Sequence, residues 1–359
     1  MDNILQQPEI SVLMPAYNRE EFISDSIKSI LNQTFTDFEL IILDDASTDN
    51  TVKKILEFND CRIRILKNEE NKGIPYSRNR LLKEARGKFF ALLDSDDIAL
   101  PTRFQKQIDF LKANNDNILV GSPCIFINKN GIRRNGKWSF LTPLQTDPEE
   151  IKATLLFRNC FSQSSIMINA ELFKNAEYDV KYPSWEDYKL WTKLASNHRL
   201  TNLKEPLILY RSYSENISHS TEDSRKLQLF NEVIKEQFRG YFNYEPTEEE
   251  LFVHSSWYFG SFKQNAKSLK DSSKWLKKLK EMNRNQKAFD THLFNKVLKK
   301  NWFDRCWHHI NKGNISASFY FLFFLIDFSL KDIFLFFYFS IKGVYAFSRN
   351  HILLNYTNA

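Results

Sequence analysis

The feature that most constrains this chain is an alternation, over its first half, of short apolar runs with segments of helical period. Ile10 to Met14 is an apolar run that stops at Pro15, and Phe38 to Leu43 is a second that stops at Asp44-Asp45. Arg62 to Leu66 and Phe89 to Leu93 read as further strands, and Ile118 to Ile127 as one more. Between them, Ile23, Ile27, Ile30 and Leu31 recur at helical spacing within Glu20–Asn32, Thr51 to Phe58 is a helix candidate, and Pro75 to Ala85 reads as a helix capped by Gly87. Buried runs separated by amphipathic helices predict an α/β fold, a mostly parallel sheet covered by helices.

That architecture restricts where chemistry can sit, because open α/β sheets bind ligands beyond the carboxyl ends of their strands. Three runs end in polar residues at that edge: Pro15-Ala16-Tyr17-Asn18, Asp44-Asp45 and Asp94-Ser95-Asp96-Asp97. The fold therefore gathers sequence-distant carboxylates into one cleft. Of these, Asp94-Ser95-Asp96 is the most informative. Mg²⁺ and Mn²⁺ take oxygen ligands, and a diphosphate needs its charge offset. On an extended segment, carboxylates two apart point to opposite sides, one toward a ribose and one toward a metal. The competing reading is a loop and helix cap ahead of Pro101. Asp45 can accept a hydrogen bond from a nucleobase N–H or a ribose hydroxyl, or can open a turn with the cap-forming Ser47, Thr48 and Asp49. Tyr17 can stack on a base or pack in the core. Arg78 can meet base or phosphate, or lie solvated on the surface.

Further along, Ser184-Trp185-Glu186-Asp187 opens a helix running to Ser196. Acidic residues suit a helix's first turn, and Ser184 with Asp187 fits a variant capping pattern. Asp187 nevertheless shares a helix face with Trp191 and Leu194, and a carboxylate facing a cleft can act as general base. His219 follows the last strand-like run, Leu207 to Tyr210, and can approach a metal or phosphate or remain in solvent. There is no GxGxxG, no GxxxxGK[ST] and no GxSxG, which argues against a dinucleotide dehydrogenase, a P-loop NTPase and a Ser-His-Asp hydrolase.

Taken in order, SVLMPAYNREEFISDSIKSILNQTFTDFELIILDDASTDNT, NKGIPYSRNRLLKEARGKFFALLDSDD and WEDYKLW resemble the family-2 glycosyltransferases of GT-A fold, from about Ile10 to Tyr210. The resemblance implies a Rossmann-like catalytic domain over residues 1–222. It implies that Pro15, Ala16, Tyr17, Asp45, Arg78, Asp94 and Ser95 serve the nucleotide of a sugar donor, with uracil the usual base. Asp96 would hold a divalent metal, Mn²⁺ or Mg²⁺, with His219 a loose match to a second metal contact, and Asp187 would be the catalytic base. The reaction implied is inverting transfer from a nucleoside-diphosphate sugar to a hydroxyl of a glycan or lipid-linked acceptor, in bacterial surface polysaccharide assembly. The alternatives are a nucleotide-sugar-binding protein without turnover, which the intact Asp94, Asp96 and Asp187 oppose, and a sugar nucleotidyltransferase, whose Gly-rich basic N-terminal loop is missing.

Residues 223–359 fall outside the resemblance and read as helical, basic and aromatic. From Lys263 to Lys312 there are 14 Lys/Arg against 4 Asp/Glu, and Phe319–Ile326 and Ile333–Ile341 are apolar runs too short to span a bilayer. Lys-rich helices beside such runs suit an anionic membrane surface; a helical pair packed on the catalytic domain, or a homodimer interface, is the alternative. Nothing matches a nucleic-acid-binding motif. The four cysteines form no CxxC pair and the N-terminus shows no signal-peptide pattern, so a reducing, cytoplasmic setting is expected, peripheral to the inner membrane.

Overall fold

The computed structural model describes residues 7–133, 140–141, 145–213, 223–259 and 266–311. The elements in order are β1 (Ile10–Ala16), α1 (Ile23–Leu31), β2 (Phe38–Asp44), α2 (Thr51–Leu56), β3 (Ile63–Lys67), α3 (Ile74–Glu84), β4 (Phe89–Leu92), β5 (Ile98–Ala99), α4 (Arg103–Ala113), β6 (Asn117–Gly121), β7 (Cys124–Ile127), β8 (Phe140–Leu141), α5 (Pro148–Leu155), β9 (Met167–Asn169), α6 (Glu186–Ala195), β10 (Arg199–Asn202) and β11 (Ile208–Arg211), then four helices, α7 (Asp223–Phe242), α8 (Glu248–Phe259), α9 (Ala266–Gln286) and α10 (Thr291–Asn311). Chain contacts divide these into two compact units, residues 1–148 with 160–221, and residues 149–159 with 222–359.

In the first unit a seven-stranded sheet has the order β10-β6-β9-β4-β1-β2-β3. All its pairings are parallel except those of β9, which runs antiparallel between β4 and β6. β1 and β2 are buried almost throughout, as strands covered on both faces must be, and Ile23, Ile27 and Ile30 of α1 are fully buried in the same core. The register sets Ala16 beside Asp44 and Leu13 beside Leu92, so the chain leaves β1, β2 and β4 along one edge. This is the convergence expected from the polar strand ends.

Two sequence expectations need correction. The apolar run from Ile118 to Ile127 is two strands, not one. Ser122-Pro123 interrupts it, because proline cannot donate to a ladder, and β7 continues into a separate four-stranded sheet ordered β5-β11-β7-β8. Gly87 does not cap α3, whose capping residue is Ala85. Gly87 is instead a point of close approach: its amide donates to Ser11 Oγ at 2.8 Å, and a Cβ there would lie 2.4 Å from the Ser11 backbone nitrogen.

The described residues of the second unit are mainly helical. Its core is aromatic, with Phe230, Phe238, Phe294 and Trp302 essentially inaccessible to solvent. Thr247 and Glu250 form the reciprocal capping box at the start of α8 that their spacing predicts. At its centre the buried His254 accepts the indole N–H of Trp275 at Nδ1, 3.0 Å away, and its Nε2 therefore donates to the Leu156 carbonyl at 2.7 Å. Burial holds this imidazole neutral, with its pKa pulled down to about 4. The unfolded chain takes up this proton near pH 6.5 and the folded chain only near 4. Stability is thus complete above pH 6.5 and falls as pH drops from 6.5 toward 4, by about 3 kcal/mol at the limit. Melting of the helical unit should weaken across that window, and His254→Gln should flatten the dependence; a wild-type melting temperature unchanged from pH 7 to 5 would contradict it. None of the described helices is long and apolar enough to cross a membrane. The runs Phe319–Ile326 and Ile333–Ile341 lie outside the described residues.

Candidate active site

The loops after β1 and β2 are stitched to each other. Asn18, with a left-handed φ of 49°, accepts the Thr48 amide at its side-chain oxygen, 2.8 Å away, while its own amide donates to Ser47 Oγ at 3.0 Å. The amides of Arg19 and Glu20 donate to Thr51 Oγ1 and to the Asp49 carboxylate. Ser47, Thr48 and Asp49 thus anchor the β1 loop as well as leading into α2. Their polar side chains fix the floor of a cleft lined by Pro15, Ala16, Tyr17, Asp45, Ser95 and Asp96, together with Arg19, Ser77 and Asp94. Tyr17 is 41% exposed there, an aromatic face open to a ligand rather than a core residue.

Asp45 is nearly inaccessible. Its carboxylate accepts the Asn68 side-chain N–H at 2.5 Å and the amides of Lys72 and Gly73 at 3.0 and 2.9 Å. It therefore holds the loop ahead of α3 while keeping a place at the cleft wall. Gly73 can make the turn because its φ is +84°, which side-chain-bearing residues rarely adopt.

Asp94, Ser95, Asp96 and Asp97 form a tight turn, with the Asp97 amide donating to the Asp94 carbonyl at 3.2 Å. An extended segment would send Asp94 and Asp96 to opposite sides, but the turn puts both on the same cleft. It is clamped from several directions. The Asp94 amide donates to Ser164 Oγ, Ser26 Oγ donates to the Asp97 carbonyl, and Arg211 donates to the Asp96 carbonyl and, through its amide, to the Asp97 carboxylate. Burial, reinforced by the neighbouring Asp94 charge, pushes the Asp96 carboxyl above the usual range. Tyr213 Oη donates to Asp96 Oδ2 at 2.6 Å, and Arg19 Nε lies 3.5 Å from the same oxygen.

The residues present fit a divalent cation of the Mg²⁺ or Mn²⁺ class. Burial and the Asp94 charge raise the proton affinity of Asp96, and a cation between the two carboxylates relieves that repulsion. Among the described residues no third His, Cys, Asp or Glu joins them into a closed cage. Such ions are commonly held by one or two carboxylates plus substrate phosphates, so a diphosphate would complete a ligand set begun by Asp94 and Asp96. His219 lies outside the described residues.

Arg78 is not a surface residue. It is 7% exposed and does not line the cleft; it lies behind it, donating to Asp94 Oδ1 at 2.9 Å and to Glu186, with its guanidinium over the Tyr178 ring. One guanidinium thereby ties the end of β4 to the first residue of α6. Glu186 was not singled out as a site residue by sequence. Burial, with the charges of Asp187 and Asp94, raises its carboxyl to about 7 even against Arg78. The signal for it was the Glu-Asp doublet, but only the fold reveals the partner 108 residues away. Asp187 follows in the first turn of α6, half-buried, its Oδ1 accepting the Tyr188 amide at 2.6 Å. The helix starts without a side-chain cap: the residue at that place is Trp185, in the left-handed region at φ 68°, not Ser184. Backbone so sparsely populated by bulky residues is retained where the surroundings over-determine it.

The sequence model described as Glycosyl transferase family 2 matches residues 11–174. The UDP-Glc:alpha-D-GlcNAc-diphosphoundecaprenol beta-1,3-glucosyltransferase of Escherichia coli is 35% identical over 222 residues, 61% of this chain and 83% of that protein. An O-antigen biosynthesis glycosyltransferase of the same organism is 32% identical, over 59% and 82%. Among solved structures, residues 1–349 of S. aureus TarS in complex with UDP-GlcNAc superpose with a TM-score of 0.56 at 20% identity, covering 86% of this chain and 89% of that one; the likeness is one of fold.

Proposed function

The chain belongs to glycosyl transferase family 2 and is a glycosyltransferase, and from that premise we propose that it transfers a sugar from a UDP-sugar, with inversion, to a hydroxyl of a lipid-linked glycan acceptor in surface polysaccharide assembly. The observation that carries this reading is the convergence on one cleft of Tyr17, Asp45, Asp94 and Asp96 from three separate strand ends. The named substrates of the first E. coli relative, UDP-Glc and a GlcNAc-diphosphoundecaprenol acceptor, supply the donor and acceptor classes.

In this reading Tyr17 offers a stacking face to the base and Asp45 an acceptor to its ring N–H. Family members commonly use a divalent metal; bound at Asp96 with Asp94, it would supply positive charge against the charge gathering on the leaving diphosphate. Arg19, already 3.5 Å from Asp96, adds a protein cation at the same place. Asp187 takes the proton of the attacking acceptor hydroxyl, whose oxygen bonds to the anomeric carbon as the bond to the diphosphate breaks. Glu186 and Arg78 keep the start of α6 in register with Asp94, so that base and donor hold a fixed separation.

The test is turnover of radiolabelled UDP-sugars with a polyprenyl-diphosphate sugar acceptor, following label into the lipid phase. UDP binding with no transfer to any such acceptor would point instead to a nucleotide-sugar-binding protein. The basic, Phe-rich C-terminal composition supports a cytoplasmic-face, peripheral placement on anionic membranes; failure of the full chain to sediment with anionic liposomes would count against it.

A further inference from the structure

A second cleft, of about 600 Å³, lies between α3 and α6 in the first unit. It is separate in lining from the donor cleft, since no residue lines both. Its walls are cationic. Arg80 and Lys83 project from α3 three residues apart, and Lys189 and Lys193 from α6 four residues apart, spacings that put each pair on one helix face.

Half of this charge is uncompensated, four cations facing the two carboxylates of Asp179 and Glu177. Lys189 pairs with Asp179 at 3.1 Å and is thereby fixed, lying over the Tyr182 ring. Arg80 donates to the Lys67 carbonyl and the Asn68 side-chain oxygen, neutral acceptors that leave its charge intact. Lys83 and Lys193 are exposed and form no ion pair among the described residues, and the remaining acid at the cleft is Glu177. Beside these cations stand two exposed apolar side chains, Tyr76 at 43% and Val180 at 60%. Cations next to an aromatic ring and an aliphatic surface suit an amphiphilic anion, not a neutral glycan.

Placement relates the cleft to the reaction. α6 carries Asp187 in its first turn and Lys189 and Lys193 farther along, the last about 9 Å down the axis from Asp187. α3 turns Ser77 to the donor cleft and Tyr76, Arg80 and Lys83 to this one. Lys189 and Lys193 lie about 160° and about 120° around α6 from Asp187, so an acceptor whose hydroxyl reaches Asp187 would pass around the start of the helix to this face, a path that takes a sugar ring and the diphosphate after it.

We propose that the α3–α6 cleft is the subsite for the phosphate groups of the acceptor, a sugar linked through a diphosphate to an apolar chain, with Lys83, Lys193 and Arg80 on the phosphates and Tyr76 and Val180 against the first apolar atoms. This rests on Asp187 as the base and deepens that reading by assigning the acceptor's anionic part to named residues.

The experiment titrates farnesyl diphosphate calorimetrically into the full chain in EDTA buffer, with inorganic pyrophosphate and phosphatidylglycerol vesicles as separate probes, and UDP with Mn²⁺ as the donor-site control. Farnesyl diphosphate should bind. The double variant Lys83→Gln/Lys193→Gln should weaken it by about tenfold or more while UDP binding stays as in wild type. Both lysines are exposed, so the variant keeps the fold, which an unchanged melting temperature verifies. Farnesyl diphosphate binding that ignores the double substitution overturns the assignment, as does no binding by a chain that binds UDP. Vesicle binding that needs the lysines, with no binding of farnesyl diphosphate, makes the cleft a membrane contact and also overturns it. Equal affinity for pyrophosphate removes the role given to Tyr76 and Val180. A chain that binds farnesyl diphosphate through these lysines but not UDP leaves the subsite standing and sinks the donor reading instead.

Discussion

Asp187→Asn should cut sugar transfer by about 10²–10⁴-fold while leaving the affinity for UDP within a factor of about two. Asparagine keeps the size of the side chain and, with its oxygen, the hydrogen bond accepted from the Tyr188 amide, so α6 starts as before. What it loses is the capacity to take a proton. Arg78 still joins Glu186 to Asp94, and none of the residues lining the donor cleft changes. Steady-state transfer and calorimetry of UDP on the same preparation check both halves. A fully active Asp187→Asn enzyme would remove Asp187 from the mechanism and turn attention to Glu186, the neighbouring carboxylate that burial has raised to about 7.

Asp96→Ala should abolish the part of UDP affinity that depends on Mn²⁺, about tenfold or more, and leave the metal-free affinity close to wild type. Asp96 sits where burial and the Asp94 charge disfavour a second free carboxylate, and in the protein alone Tyr213 and Arg19 hold its Oδ2. A cation added with the diphosphate would compete with those two contacts. Without Asp96, Arg19 loses its acidic partner and stays available to phosphate, so metal-free binding need not fall. Calorimetry of UDP with and without Mn²⁺ on wild type and variant reads this directly. Equal wild-type affinity with and without metal would remove the cation from donor binding, and no UDP binding in either condition would direct the search to dTDP or GDP.

Much of the fold could be read locally, because parallel strands buried on both faces leave continuous apolar runs such as Leu40 to Leu43, and α1 shows its buried face at regular spacing. The cleft residues were legible for the same reason: once strand ends are known, the sheet itself brings Tyr17, Asp45 and Asp96 together. What could not be read were features that depend on distant partners. Arg78 looks like an ordinary surface arginine until Glu186, 108 residues later, is placed beside it. Gly87 looks like a helix cap, and only the approach of Ser11 shows why a side chain is excluded. The antiparallel β9 carries no local mark of its direction. The break at Pro123 was visible in principle, but apolar residues on both sides outweighed one proline.

The helical unit takes residues 149–159 from the middle of the chain and the rest from residue 222 onward. Protein synthesis runs in one direction, so this segment leaves the ribosome well before the helices that complete its unit. Ile151, Leu155, Leu156 and Phe157, all buried in the finished molecule, must wait in the nascent chain. A chain cut at Thr221 to isolate the sheet would keep this apolar segment and lose the rest of its unit, and its solubility would suffer for reasons unconnected with the catalytic cleft.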